Sequence, residues 1–355
     1  MIVVDAHQDI AFNDLNFNRD YRRSALETRR IEGGRNPMGV ATLGLPDAIL
    51  GRVAVAFATL FATPLAAVQK LSLEIPFYQN PQEAFDQAQR QMDYYERLTD
   101  DNERLGLIRT QADLDDLLAT WGDDTDIADH RQGLVILMEG ADPIIEPAQF
   151  EEWYERGVRA VGTAWSETRY SGGTGVPGPL TDLGRELLEV LADFNAILDL
   201  SHMAEAAFLE SLDRYDGAII ASHSNPRQFC DSDRHLSDHM IRQLAERDGV
   251  MGLVISNSFL SNTWSKGDPR ADIPLAVVAD AIDHVCQITG SPAHVGIGSD
   301  LDGGFGAESI PDGLDTVGDL WSIGGVLRER GYSEEDIAAV LGGNMLRKLR
   351  QSLPD

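Results

Sequence analysis

The sequence predicts an α/β fold, a (β/α)8 TIM barrel with an enlarged first βα loop. Three observations predict it. Short runs of β-branched and aliphatic residues alternate with amphipathic helical patterns along the 355 residues, which is the signature of successive βαβ units. The runs number eight, the count that closes a parallel barrel. Five of them end, on the carboxyl side, in side chains able to bind a metal. An open doubly wound sheet would not bring those five ends around one point, whereas a barrel gathers every carboxyl end on one face.

The eight strands are expected near residues 2–7, 51–61, 132–139, 158–165, 196–202, 217–223, 249–256 and 294–300. Residues 81–99 read as a helix, with Phe85, Ala88, Met92, Tyr95 and Leu98 three or four apart. A second helix covers 181–194, capped by Thr181, with Leu183, Leu187, Leu188, Leu191 and Phe194 on its apolar face. Residues 273–288 and 334–350 follow the same pattern, the last capped by Ser333. Leu105 to Arg109 can form a small extra strand. Three segments exceed a minimal barrel: a mostly polar insertion at 10–50, a Gly-rich loop at 166–179 and a loop at 257–272. All three leave carboxyl ends of strands, where loops shape pockets. No repeat, low-complexity tract or linker interrupts the chain, so residues 1–355 read as a single domain.

Composition narrows the functions. The hydrophobic fraction is 43%, ample for a core, and the charged fraction is 25%. A net charge of −29 argues against nucleic acid, whose phosphates need Lys and Arg, and against docking on anionic membranes. The basic charge is almost all arginine, with lysine only at 70, 266 and 348. No apolar stretch reaches the roughly 18 residues that span a bilayer, and the first residues open as a strand rather than a signal peptide. A cytoplasmic protein is expected, with Cys230 and Cys286 as free thiols.

The strand ends carry the chemistry. His7 and Asp9 follow the first run, two apart, so both side chains point the same way. Glu139 ends the third run. His202 and His223 end consecutive runs, 21 residues apart, and Asp300 ends the eighth. Imidazole and carboxylate are the ligands zinc prefers. His7 with Asp9 can hold one ion, His202 with His223 a second, and Glu139 can bridge both. Such a pair of ions holds a hydroxide and polarises a carbonyl, as in metal-dependent hydrolases. A carboxylate ending an apolar run is hard to explain structurally, because an unpaired buried charge costs several kcal/mol. Asp300 is the expected proton handler, with Asp302 as second choice. His130 is expected at the surface, His239 and His284 as helix packing or solvent residues, His294 at the remote end of its strand, and His235 near the mouth.

The chain resembles the membrane (renal) dipeptidase family, peptidase family M19, of the amidohydrolase superfamily. The resemblance lies in Asp5-Ala6-His7-Gln8-Asp9, Met138-Glu139-Gly140 and Leu180-Thr181-Asp182-Leu183-Gly184-Arg185. It continues through Leu198-Asp199-Leu200-Ser201-His202-Met203, Ala221-Ser222-His223-Ser224, the run from Gly296 to Gly303, and Gly342-Gly343-Asn344-Met345-Leu346. These occur in family order from end to end. The resemblance implies a (β/α)8 barrel with two zinc ions bridged by Glu139, hydrolysing small dipeptides, L,D-dipeptides among them. It also implies that Arg234 binds the terminal carboxylate, and that a homodimer is a common assembly. Trp165 stands where mammalian members carry a substrate-contacting histidine, as in some bacterial members. Val254-Ile255-Ser256 replaces an Asn-Phe-Tyr pattern. Ser256 and Trp165 therefore mark a substrate wall that has drifted while the metal set is complete. Alternatives kept open are another small amide, lactam or N-acyl amino acid substrate, and a catalytically silent binding barrel.

Overall fold

The structure, a computed structural model, describes every residue except Arg35 and Asp123, and only the backbone of Leu71. Among the described residues the strands in chain order are β1 (Val3–Gln8), β2 (Val53–Phe61), β3 (Leu105–Leu107), β4 (Gln132–Glu139), β5 (Val158–Gly162), β6 (Ser171–Gly173), β7 (Val176–Leu180), β8 (Ile197–Asp199), β9 (Ile219–Ala221), β10 (Val250–Leu253) and β11 (Val295–Ile297). Eight of them are parallel neighbours in the order β2-β1-β11-β10-β9-β8-β5-β4. β4 pairs back to β2, from Val55↔Gly133 to Phe61↔Glu139, and closes the barrel. Helices fill the crossovers, as the (β/α)8 reading requires. β3 is the small extra strand expected near Leu105. It lies on β4 at Leu105↔Gln132, ahead of the point where β5 joins at Ile136↔Val158.

A parallel barrel covers both faces of every strand, so β2 and β4 are buried along their whole length. Thr59 and Phe61, two apart on β2, face the barrel mouth. By alternation Ala54, Ala56 and Ala58 face outward, where their small side chains let the helices approach. One connected hydrophobic cluster runs from Val3 to Leu353. A second, small cluster of Phe12, Met38, Phe61, Ala67 and Leu73 stands apart at the mouth, with Trp165 packed against it.

The expected helices are present at Pro81–Asp100, Asp182–Asp193 and Ala276–Thr289. Thr181 and Ser333 cap as predicted, each accepting from a backbone N–H three residues on. The final helix differs from the expected unbroken 334–350. Glu334–Ala338 passes through a wide π-helical turn, Ala339–Gly343, into Asn344–Ser352. That turn packs on the start of β1, where a Cβ on Gly342 would sit 3.1 Å from Ile2 O. The 10–50 insertion is also more ordered than a polar loop. It carries helices at Ile10–Phe17, Ala25–Glu32 and Leu45–Leu50 and buries Phe12, Tyr21, Met38 and Leu43. The Gly-rich loop holds the antiparallel β6–β7 hairpin.

The strands are shorter than predicted at their carboxyl ends. β8, β9 and β11 stop at Asp199, Ala221 and Ile297, two or three residues before His202, His223 and Asp300. The chain turns out of the sheet there, with φ of 66° at His202 and 57° at Asp300. Non-glycine residues in this left-handed region cost on the order of 1–2 kcal/mol each, a strain concentrated at functional sites. Gly252 and Gly298 allow the neighbouring backbones to close on this rim. A Cβ on either would lie 2.0 and 1.8 Å from Ser222 O.

Candidate active site

The six residues singled out at strand ends converge. His7, Asp9, Glu139, His202, His223 and Asp300 are all buried, none more than 8% exposed. His202 Nε2 lies 3.1 Å from His223 Nε2, and Glu139 Oε1 lies 3.2 and 3.3 Å from the two. The other oxygen, Oε2, lies 3.5 Å from His7 Nε2. His7 Nε2 is also 3.8 Å from Asp9 Oδ1 and 3.9 Å from Asp300 Oδ1. Glu139 thus turns one oxygen toward each half of the cluster. Asp9 begins the helix Ile10–Phe17 yet makes no cap bond with its side chain. Its Oδ1 instead accepts from Thr59 Oγ1 and faces the cluster.

This donor set fits metal ions. Both ring nitrogens of the buried His7 lack a hydrogen-bond partner, a costly state for a purely structural histidine. Ligand atoms at 2.0–2.2 Å from a tetrahedral ion stand about 3.3–3.6 Å apart, close to the spacings here. Three imidazoles and three carboxylates gathered this closely are a donor set that suits bound cations.

The charges confirm how tightly the groups are packed. Burial drives His202 down to about 3 and His223 well below the usual histidine range, so both are neutral, as ligands must be. Burial opposes a charge on His7 as well, but Glu139, Asp9 and Asp300 outweigh it and raise His7 to about 10. Burial pushes Asp9 up to about 6 and Asp300 well above the carboxylate range.

A supporting layer, not assigned from sequence, lies beneath. Asp199 Oδ1 accepts from Ser201 N (3.0 Å) and Ser222 N (2.7 Å), and Oδ2 from Ser222 Oγ (2.5 Å). Ser222 Oγ also stands 2.8 Å from His223 Nδ1. A carboxylate only accepts, so the serine proton goes to Asp199 and Nδ1–H donates to the serine. That fixes the tautomer with the Nε2 lone pair facing the cluster. Asp5 repeats the device across the barrel, accepting from Ser299 N (2.7 Å), Ser299 Oγ (2.5 Å) and His7 N (3.4 Å). The signal was present in the sequence: Asp5 and Asp199 each interrupt an apolar strand just before a ligand candidate. Thr174 Oγ1, from the β6–β7 turn, holds His202 Nδ1 at 3.0 Å.

A cavity of about 220 Å³ opens over the cluster and is lined by Trp165, Arg234 and Ser256. Trp165 stacks on His202 with centroids 5.6 Å apart. Ser256 is buried, its Oγ 3.0 Å from Ser258 Oγ. Arg234 donates to His223 O (2.7 Å) and Ser224 Oγ (3.2 Å). A guanidinium has five donors, so others remain for a ligand in the cavity that Arg234 lines.

Other expectations are corrected. Asp302 does not compete with Asp300. It accepts from Thr42 N (2.8 Å) and Thr42 Oγ1 (2.7 Å) and pairs with Arg19 Nη1 at 3.1 Å. His130 is not a surface residue but packs on Trp121, centroids 4.1 Å apart. His235 is buried beside Phe259, outside the six-residue cluster. Two other histidines sit as expected: His284 on its helix, reaching Asp238 at 3.0 Å, and His294 at the far end of the barrel, its Nδ1 3.0 Å from Gly249 O.

A closed parallel barrel with buried histidines and carboxylates at its carboxyl mouth defines a hydrolase-type (β/α)8 protein with a metal-competent site. Residues 1–353 match the model of the membrane dipeptidase family, peptidase family M19, and the chain belongs to that family. It is 32% identical over 214 residues to an "uncharacterized protein in pqqA 5'region" of Klebsiella pneumoniae, covering 58% of this chain and 76% of that protein. It is 28% identical over 214 residues to dipeptidase 3 of Rattus norvegicus, covering 58% of this chain but 41% of the rat protein. In fold it is similar to a metallo peptidase from Rhodobacter sphaeroides bound to a phosphinate mimic of the dipeptide L-Ala-D-Ala. The TM-score there is 0.79 at 24% identity, covering 99% of both chains. Among the described residues no helix is long and apolar enough to cross a membrane.

Proposed function

We propose that the protein is a binuclear zinc dipeptidase acting on small dipeptides with a free carboxylate, L,D-dipeptides among them. The observation that carries this reading is the buried convergence of His7, Asp9, Glu139, His202 and His223, with both His7 nitrogens unpartnered. His7 and Asp9 would hold one ion, His202 and His223 the other, and Glu139 both. When bound, the ions supply a nucleophilic hydroxide at neutral pH and polarise the scissile carbonyl. Asp300, beside His7 and Asp9, takes the proton from the attacking water and delivers it to the leaving amine. Arg234 holds the substrate carboxylate with its free donors. Trp165 and Phe61 form an apolar wall that excludes bulk water. The cavity is at the small end of ligand pockets, in keeping with a dipeptide rather than a longer peptide. The inclusion of L,D-dipeptides draws support from the L-Ala-D-Ala mimic held by the Rhodobacter protein. The reading includes a cytoplasmic location, where Cys230 and Cys286 remain reduced.

A second reading changes only the substrate, to a lactam or N-acyl amino acid, and is favoured by Trp165 and Ser256 on the cavity wall. Hydrolysis of L,L and L,D dipeptides by the zinc-loaded protein tests the first reading, with Glu139→Gln as the control. Turnover that vanishes in the control is expected. A chain holding both metals that cleaves N-acyl amino acids and no dipeptide would establish the second reading instead.

A further inference from the structure

The distribution of lysine is informative. The chain has three, in a protein with 58 acidic and 29 basic residues. Lys348 lies 3.4 Å from Asp248. The other two, Lys70 and Lys266, both line the cavity over the metal-site cluster, together with Arg234. They arrive from three different segments, after β2, β10 and β9 respectively. A surface this acidic offers about two carboxylates for every cation. The cavity departs from that ratio, with three cations against three carboxylates. Among the described residues its only carboxylates are Asp9, Glu139 and Asp300, all members of the cluster on the floor. None of the three cations has a carboxylate within ion-pair distance among those residues.

Lys70 defines the direction. Its Nζ lies 5.4 Å from the Trp165 ring centroid, and that ring stacks on His202. Burial lowers its pKa, and the Arg234 guanidinium lowers it further, ahead of the opposing pull of Asp300 and Asp233. The ammonium and the guanidinium line one cavity, and among the described residues neither is held in an ion pair.

We infer that the cavity selects dipeptides whose carboxyl-terminal residue is aspartate or glutamate. The inference rests on the dipeptidase reading above. Arg234 takes the main-chain carboxylate, Lys70 takes the side-chain carboxylate, and Lys266 on the exposed rim draws the dianion in from solution. A neutral side chain of the same shape leaves both ammonium groups without a counter-charge.

The test compares Ala-Glu with Ala-Gln, which are isosteric and differ in one charge. The zinc-loaded full chain is assayed with the second residue in L and in D form, at low and high salt. The expected kcat/KM ratio favours Ala-Glu by about tenfold at low salt and shrinks at high salt. It falls toward one in Lys70→Met, where Ala-Gln serves as the reference within the same variant, so that a general loss of folding lowers both substrates alike. Calorimetry on the Glu139→Gln chain reads the same preference as affinity, without turnover. A wild-type ratio of one or less, with Ala-Gln still cleaved, overturns the acidic preference and leaves the dipeptidase reading standing. An undiminished ratio in Lys70→Met overturns the role of that lysine. If the chain holds both metals and cleaves none of the four peptides, the dipeptidase reading fails and the inference fails with it.

Discussion

Asp199 never touches the cavity, yet its removal should be felt twice. Its carboxylate pairs two buried backbone N–H groups, Ser201 N at 3.0 Å and Ser222 N at 2.7 Å. Orphaning a buried donor costs about 1–3 kcal/mol, so Asp199→Ala should cost about 2–6 kcal/mol of stability. The Ser222 hydroxyl is left out of that sum, because His223 Nδ1 at 2.8 Å remains as its partner. Against a typical domain margin of about 5–15 kcal/mol, the loss is large but survivable. The second effect is on zinc. With Asp199 gone, the Ser222 proton is free to point at His223 Nδ1, which stabilises the tautomer whose Nε2 carries hydrogen and cannot bind metal. Zinc affinity at that position should fall about 10–100-fold, the usual range for such outer partners. Urea unfolding gives the first number, and competition with a chromophoric chelator gives the second. Ser222→Ala separates the two effects, since it keeps the backbone bonds and removes only the hydroxyl. An Asp199→Ala protein within about 1 kcal/mol of wild type, with zinc affinity unchanged, would refute the reasoning.

Two further outcomes follow from the same geometry. Arg19→Met removes a side chain only 4% exposed that pairs with Asp302 at 3.1 Å and Glu32 at 2.8 Å. Leaving those acids without their cation should cost about 3–5 kcal/mol, read by urea titration, and a loss under 1 kcal/mol would show the pair to be dispensable. Stripping the metals with a chelator should lower the melting temperature by about 5 °C or more and zinc should restore it, because a ligand held only by the folded state stabilises by mass action. An unchanged melting temperature in a chain shown to release its zinc would contradict a buried, charge-compensating centre.

The barrel and its six clustered side chains were legible because both depend on local pattern. An apolar run that stops at His, Asp or Glu marks a strand and its carboxyl end together. What was hidden depended on partners distant in sequence. Asp300 and Asp302 look equivalent in the motif, and only Thr42, 260 residues away, shows which one is structural. His130 sits among polar residues, so its burial under Trp121 could not be read from its neighbours in the chain. The strand ends overshot because a left-handed turn at His202 or Asp300 leaves no mark in hydrophobicity. The roles of Asp5 and Asp199 were missed for a related reason. Each was visible as an acid inside an apolar run, but the serines that give it a purpose belong to neighbouring strands.

The joint between β1 and β11 also bears on how the chain is made. β1 is made well before β11, and Asp5 must wait for Ser299, 294 residues later, to supply two of its donors. Asp302 likewise reaches back to Thr42 and Arg19. Until β11 has been made, the nascent chain carries His7 and Asp9 beside an open seam, without Asp300. The six-residue cluster is therefore completed only once β11 has been made, and a chain that stops before β11 carries His7, Asp9, Glu139, His202 and His223 without Asp300.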